Sequence, residues 1–182
     1  MKHQMNRRDF LIGSGVVLWL PSARADLYDD YINSTSKIPF VAFLARGGFP
    51  GHAFVGIGVS LNAGLIVYER LFGYYPVGGD KVAEAKLVFG KTSGTLDYKW
   101  KDTDWSQNYR VSVDKAKHDA AIAVADQWLK NDPKYNLFAA GGKNCSSFAG
   151  EVARAVGLKV PEGAGTMLPI DYISRLRKAN GG

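Results

Sequence analysis

Cysteine and histidine, the residues that most often form metal and redox sites, are scarce in this 182-residue chain, which has one cysteine and three histidines. A single cysteine excludes an internal disulfide. The cysteine and the histidines also lack the C-x-x-C or H-E-x-x-H spacing of zinc sites. No group of glycines follows a strand with the spacing of a dinucleotide- or phosphate-binding loop. We therefore expect no metal and no cofactor.

Long apolar runs are also scarce. The run at 10–20 falls well short of the ~20 residues that cross a bilayer. It follows basic residues and precedes Ala-Arg-Ala at 23–25, which is typical of a secretory signal. Arg7 and Arg8, followed by a Phe-Leu pair, resemble the twin-arginine export motif. We expect residues 1–25 to be removed as a signal peptide, which leaves a periplasmic or secreted protein without stable membrane insertion.

A strong charge of one sign is absent from the remaining residues, 26–182. The signal segment carries four basic residues and one acidic residue, which leaves +3 of the chain's net charge of +6 on the remainder. This mild excess does not indicate nucleic-acid binding. The length of this part of the chain suits one domain. We expect the protein to be a monomer.

Alternating apolar residues and turn signals predict short strands at 38–45, 52–60, 65–74, 87–89, 94–100 and 105–113. Asp114 has the character of an N-cap for a helix that runs to Lys130. Two more helices are predicted at 145–156 and 168–178.

Cys145 opens the second of these helices. A thiol at a helix N-terminus faces unpaired backbone N–H groups and the positive end of the helix dipole. Such settings can lower a thiol pKa from ~8.5 to ~3.5–7.5. The alternative is an inert buried residue, as most lone cysteines are. Its place at a helix start, in a chain with an export signal, favours a nucleophile whose own N–H could stabilise an oxyanion.

Two histidines could serve as the base for Cys145. His52 begins a predicted strand that is spaced by glycines. His118 lies in the first turn of the helix at 114–130 and points by spacing toward its apolar face, which is typical of a packing residue. We therefore predict that His52 is the base.

Two short motifs carry a resemblance to a known family: Gly-His-Ala-Phe-Val at 51–55 and Asn-Cys-Ser-Ser-Phe at 144–148. They resemble the circularly permuted papain-like thiol hydrolases, which include permuted NlpC-like peptidases and lecithin:retinol acyltransferase-like enzymes. In that group the histidine precedes the cysteine, as here. The resemblance covers roughly residues 38–160. It implies an α+β fold with a small antiparallel sheet packed against the cysteine-bearing helix, and a Cys/His pair that acts on amides or esters.

The resemblance also implies a third polar residue that orients the imidazole from the next strand. With a hairpin turn at 61–64, His52 would pair near Gly73, and positions 67, 69, 71 and 73 would share its face. Glu69 is the only ionisable residue among these positions, and we predict it as the third catalytic residue. The alternative is a surface glutamate that balances Arg70, because a one-residue slip in register would turn it to the other face.

Three functions are compatible with these features. The favoured one is an exported amidase or peptidase that acts on cell-wall peptides. The second is a lipid-directed thiol hydrolase or acyltransferase, which an apolar groove beside Cys145 would favour. The third is a non-catalytic binding module, which a large separation of Cys145 and His52 would favour. The expected partner is therefore a cell-wall peptide or a lipid, and the fold alone cannot choose between them.

Overall fold

The computed structural model describes residues 36–61, 66–77, 92–97, 105–137 and 143–182. The predicted signal peptide, the predicted strand at 87–89 and most of the predicted turn at 61–64 lie outside these residues. None of the described helices has the length and apolar character needed to cross a membrane.

The described strands form one antiparallel sheet. They are β1 (Lys37–Arg46), β2 (His52–Leu61), β3 (Ile66–Pro76), β4 (Thr92–Asp97), β5 (Gln107–Ser112) and β6 (Lys134–Tyr135), in the order β5-β1-β2-β3-β4-β6. Five of them match segments that the sequence predicts. The sixth has only two residues, too few to show any periodicity.

Three helices of the described chain complete an α+β fold, so the predicted class is confirmed. They are α1 (Lys115–Asn131), α2 (Cys145–Ala155) and α3 (Pro169–Ala179). The side chain of Asp114 accepts a hydrogen bond from the N–H of Lys117 at 2.8 Å, as expected of an N-cap.

The main core lies between the helices and one face of the sheet. Because side chains alternate along a strand, Ala53, Val55 and Ile57 of β2 face the helices, whereas Phe54 faces the other side. The helices contribute Ala121, Ala125, Trp128, Phe148, Val152, Tyr172 and Leu176 to this core. A smaller apolar cluster, against which Trp105 packs, covers the opposite face. β2 is therefore buried on both faces, which explains its nearly continuous apolar sequence.

The sheet opens at the end where β2 begins. The β1–β2 ladder extends to the pair Arg46–His52, but the β2–β3 ladder ends two residues earlier, at Phe54–Gly73. Beyond this point β3 pairs only with β4, as far as Pro76. β2 and β3 therefore separate here, and the opening between them holds the candidate site.

Candidate functional site

Cys145 lies at the first position of α2, with its thiol at this opening. The side chain is buried, with 1% of the residue exposed. The sulfur accepts a hydrogen bond from the backbone N–H of Ala53, which lies just beyond the last β2–β3 pair. The N–H groups of Cys145 itself and of Ser146 also interact with the sulfur. Three backbone donors thus converge on one atom, an arrangement that can stabilise negative charge.

Burial nevertheless raises the pKa of the Cys145 thiol above its ordinary value, because a thiolate there would lose its hydration. The N–H groups of Ala53, Ser146 and Cys145 act in the opposite direction, with a smaller effect. The predicted low pKa is therefore wrong for the thiol as it lies in this structure. A position at a helix start does not reveal how deeply the sulfur is buried, and here desolvation outweighs the hydrogen bonds to the sulfur.

Asn144 determines where α2 begins. Its Oδ1 accepts a hydrogen bond from the N–H of Ser147 at 2.8 Å, which caps the helix. Its Nδ2 donates to the carbonyl oxygen of Leu137 at 2.9 Å. One buried side chain therefore caps the cysteine-bearing helix and ties it to the segment after β6.

The carboxylate of Glu151, about two turns along α2, binds Lys143, the residue that precedes Asn144. Glu151 accepts a hydrogen bond from Nε1 of Trp128 at 2.6 Å, and its other oxygen accepts one from Nζ of Lys143. The Lys143 ammonium also lies 5.4 Å from the centre of the Trp128 ring. One partly buried carboxylate therefore connects α1, α2 and the approach to Cys145.

His52 lies at the same opening, with its ring on the sheet face opposite the helices. The ring centre is 4.2 Å from that of Tyr75 and 5.7 Å from that of Phe54, in nearly parallel orientation. A Cβ atom at Gly73 would lie 2.5 Å from Nε2 of His52, so the imidazole requires a glycine beneath it. Cys145 and His52 therefore reach one opening from opposite faces of the sheet.

Glu69 does not share the face of His52, and the prediction that it does is wrong. Gly73 pairs with Phe54 instead of His52, and the register then shifts at a β-bulge after Ile57. A bulge adds one residue to one strand and so reverses the side-chain alternation beyond it. Glu69 lies at this irregularity, where the hydrophobic pattern contains no sign of the extra residue.

The partner of Glu69 is His118. Its carboxylate, 47% exposed, lies 3.3 Å from Nε2 of His118, and Nδ1 of the same ring lies 3.6 Å from Asp119. Glu69 is thus a surface glutamate, as the alternative held, although it pairs with His118 and not with Arg70. His118 is partly buried on α1, as expected of a packing residue.

A cavity of about 250 Å³ lies beside His52. It is lined by the β1–β2 loop and by aromatic and apolar side chains that include Phe49, Tyr75, Tyr135 and Leu137. Cys145 is not among the described residues that line it.

Sequence reasoning missed Tyr135. This residue lines the cavity, and its hydroxyl interacts with the Cys145 side chain. Burial, and then the proximity of Cys145, raises the pKa of Tyr135. No motif points to it, because β6 is too short to leave a pattern and its neighbours lie far away in the chain.

Within the described ranges, no group of three or more His, Cys, Asp or Glu side chains could hold a metal ion. The described site holds a thiol, an imidazole, a phenol and backbone N–H groups. Comparison with known proteins finds no matching family model, no matching curated protein and no matching solved structure.

Proposed function

We propose that this chain is an exported cysteine hydrolase, an amidase or peptidase, that cleaves amide bonds in cell-wall peptides. Cys145 is the nucleophile and His52 the base, on a permuted papain-like fold. The observation that best supports this proposal is the opening between β2 and β3, which the thiol and the imidazole both reach beside a cavity. A thiol beneath backbone donors, with an imidazole at the same opening, is suited to nucleophilic catalysis.

The reaction uses groups that already lie at the opening. His52 accepts the thiol proton of Cys145, and the sulfur attacks the amide carbonyl carbon. The N–H groups of Cys145 and Ser146 stabilise the charge that develops on the carbonyl oxygen. His52 then gives its proton to the departing amine as the C–N bond breaks, which leaves a thioester on Cys145. Water, deprotonated by His52, hydrolyses the thioester to a carboxylic acid and restores the thiol.

Two features of the site shape this mechanism. Burial raises the pKa of Cys145, so the thiolate forms as the proton passes to His52 and is not present beforehand. Stacking against Tyr75 and Phe54 holds the imidazole in place, a role for which the resemblance implies a third polar residue.

His52 and His118, the two histidines outside the predicted signal peptide, provide a matched test of which one is the base. Turnover of peptidoglycan fragments is measured for the wild-type protein and for Cys145→Ala, His52→Ala and His118→Ala. We expect Cys145→Ala to abolish turnover and His52→Ala to lower it about 10²- to 10⁴-fold, the usual contribution of a general base. His118→Ala should retain most activity. If the effects of the two histidine substitutions were exchanged, the assignment of the base would be wrong.

An acyl ester is a second candidate substrate, because Phe49, Tyr75 and Leu137 give the cavity an apolar lining. Parallel assays with peptidoglycan fragments and with acyl esters separate the two substrate classes. The binding-module alternative is favoured by the burial of the thiol and its raised pKa. Wild-type protein that binds peptidoglycan fragments but turns over neither substrate would support that alternative.

Export is a separate part of the proposal and depends on residues 1–25. Replacing Arg7 and Arg8 together with lysine keeps the charge but removes the twin-arginine pattern. We expect the precursor to accumulate in the cytoplasm, as detected by fractionation and immunoblotting. Normal processing and export of the double variant would show that residues 1–25 act as an ordinary secretory signal.

A further inference from the structure

Tyr135 contacts both the cavity and the thiol. It is buried, with 4% of the residue exposed, and its side chain lines the cavity. Its hydroxyl interacts with Cys145, which is itself buried and does not line the cavity. A molecule in the cavity therefore meets the phenol of Tyr135 before it meets the sulfur.

Among the described residues, few backbone hydrogen bonds hold Tyr135 in this place. β6 contains only two residues, which pair with Thr92 and Ser93 at the edge of the sheet. One bond from the N–H of Asn136 to the carbonyl of Lys143, at 2.9 Å, connects the segment to the approach to Cys145. Local opening occurs preferentially in such sparsely bonded elements, whereas the long central strands remain closed.

The ring of Tyr135 has an apolar partner on its inner side. Its centre lies 5.5 Å from that of Tyr74, whose hydroxyl donates to the backbone carbonyl of Pro133. Tyr74 also makes an edge contact with Trp128 in the main core. The resting position of Tyr135 is therefore stabilised by packing on a fixed neighbour.

We propose that Tyr135 gates Cys145, so that an electrophile in the cavity reaches the sulfur only when the Tyr135 side chain turns away. This inference rests on the proposed function in taking Cys145 as the nucleophile, and it specifies how access to that nucleophile is controlled. The closed gate would also shield the only thiol of an exported protein from oxidants outside the cytoplasm.

The test is the rate at which iodoacetamide alkylates Cys145 in the folded protein, measured by mass spectrometry without substrate. Wild-type protein is compared with Tyr135→Ala and Tyr135→Phe. Phe49→Ala is the matched control, because it removes an aromatic side chain from the same cavity, on the β1–β2 loop. We expect Tyr135→Ala to react at least about tenfold faster than wild type, equivalent to ~1.4 kcal/mol of opening free energy. Phe49→Ala and Tyr135→Phe should remain within about threefold of wild type.

Global unfolding could also expose the thiol, so the rates are repeated at low urea concentrations. A rate set by the gate stays nearly constant with urea, whereas a rate set by global unfolding rises steeply. If Tyr135→Ala fails to fold, Tyr135→Leu retains apolar packing without the aromatic ring that gates the sulfur and should also accelerate alkylation. The gate is refuted if wild-type protein reacts as fast as a free thiol, or if neither Tyr135→Ala nor Tyr135→Leu reacts faster than Phe49→Ala. Because no turnover is measured, this result is independent of whether the protein proves to be a hydrolase.

Discussion

Replacing Asn144 with alanine should destabilise the protein far more than the loss of an ordinary helix cap. Asn144 is 3% exposed; its Oδ1 accepts hydrogen bonds from the N–H and the hydroxyl of Ser147, and its Nδ2 donates one to the carbonyl oxygen of Leu137. Asp114 is a natural control, because it caps α1 through a similar bond, to the N–H of Lys117, but lies exposed to water. Both substitutions remove a helix cap, but only Asn144→Ala also leaves a buried polar group without its hydrogen-bond partner.

The expected difference follows from these contacts. Losing an N-cap costs about 1 kcal/mol, within a range of roughly 0.5–2 kcal/mol. Asn144→Ala also leaves the carbonyl of Leu137 without its donor, and an unpaired buried polar group costs about 1–3 kcal/mol. We therefore expect about 2–4 kcal/mol for Asn144→Ala and about 1 kcal/mol for Asp114→Ala. For a domain of this size, the larger loss lowers the melting temperature by on the order of 5–15 °C.

Urea denaturation followed by circular dichroism measures both variants, and an unchanged m-value would show that the same transition is observed. Asn144→Ser keeps a capping oxygen but cannot donate to Leu137, so its stability should lie between that of wild type and that of Asn144→Ala. Equal losses for Asn144→Ala and Asp114→Ala would refute the reasoning, because the bond to Leu137 would then contribute nothing.

Three further predictions concern the buried groups. Burial raises the pKa of Cys145 in the folded protein, so above about pH 8.5 the unfolded thiol ionises first. Stability that is fully present below that pH should therefore fall as the pH rises, and the urea midpoint should fall less in Cys145→Ala. Tyr172→Phe removes a buried hydroxyl that has no partner among the described residues, so it should change the free energy of unfolding by less than about 0.5 kcal/mol. Tyr74→Phe is the control, because it loses a hydrogen bond and should cost about 1 kcal/mol. Gly73→Ala places a methyl group against the His52 imidazole, so it should cost roughly 1–3 kcal/mol of stability and most of any activity. Wild-type stability with full turnover would contradict the position of the His52 ring beside Gly73.

Much of the fold is predictable from sequence because its elements carry local signals. β1, β2, β3 and β5 are long enough to show apolar and β-branched patterns, and Asp114 marks the start of α1. The positions of His52 and Cys145 at the starts of a strand and a helix are local properties too.

The parts of the site that sequence analysis misassigned depend on non-local geometry. Counting residues from the turn places Glu69 on the face of His52, and one bulge reverses that count. Tyr135 reaches Cys145 only because a two-residue strand pairs with the edge of the sheet. Neither a bulge nor so short a strand changes the hydrophobic pattern from which register and secondary structure are predicted.

The sequence by itself determined the α+β class, most of the strand and helix positions and the two elements that carry His52 and Cys145. Each of these follows from residues close together in the chain. Only the tertiary structure decided which face of the sheet each side chain occupies, that β2 and β3 separate beside Cys145, and that the Tyr135 hydroxyl interacts with the thiol. It also decided the direction of the thiol pKa, because the helix dipole acts through neighbouring residues whereas desolvation depends on every element that packs around the sulfur.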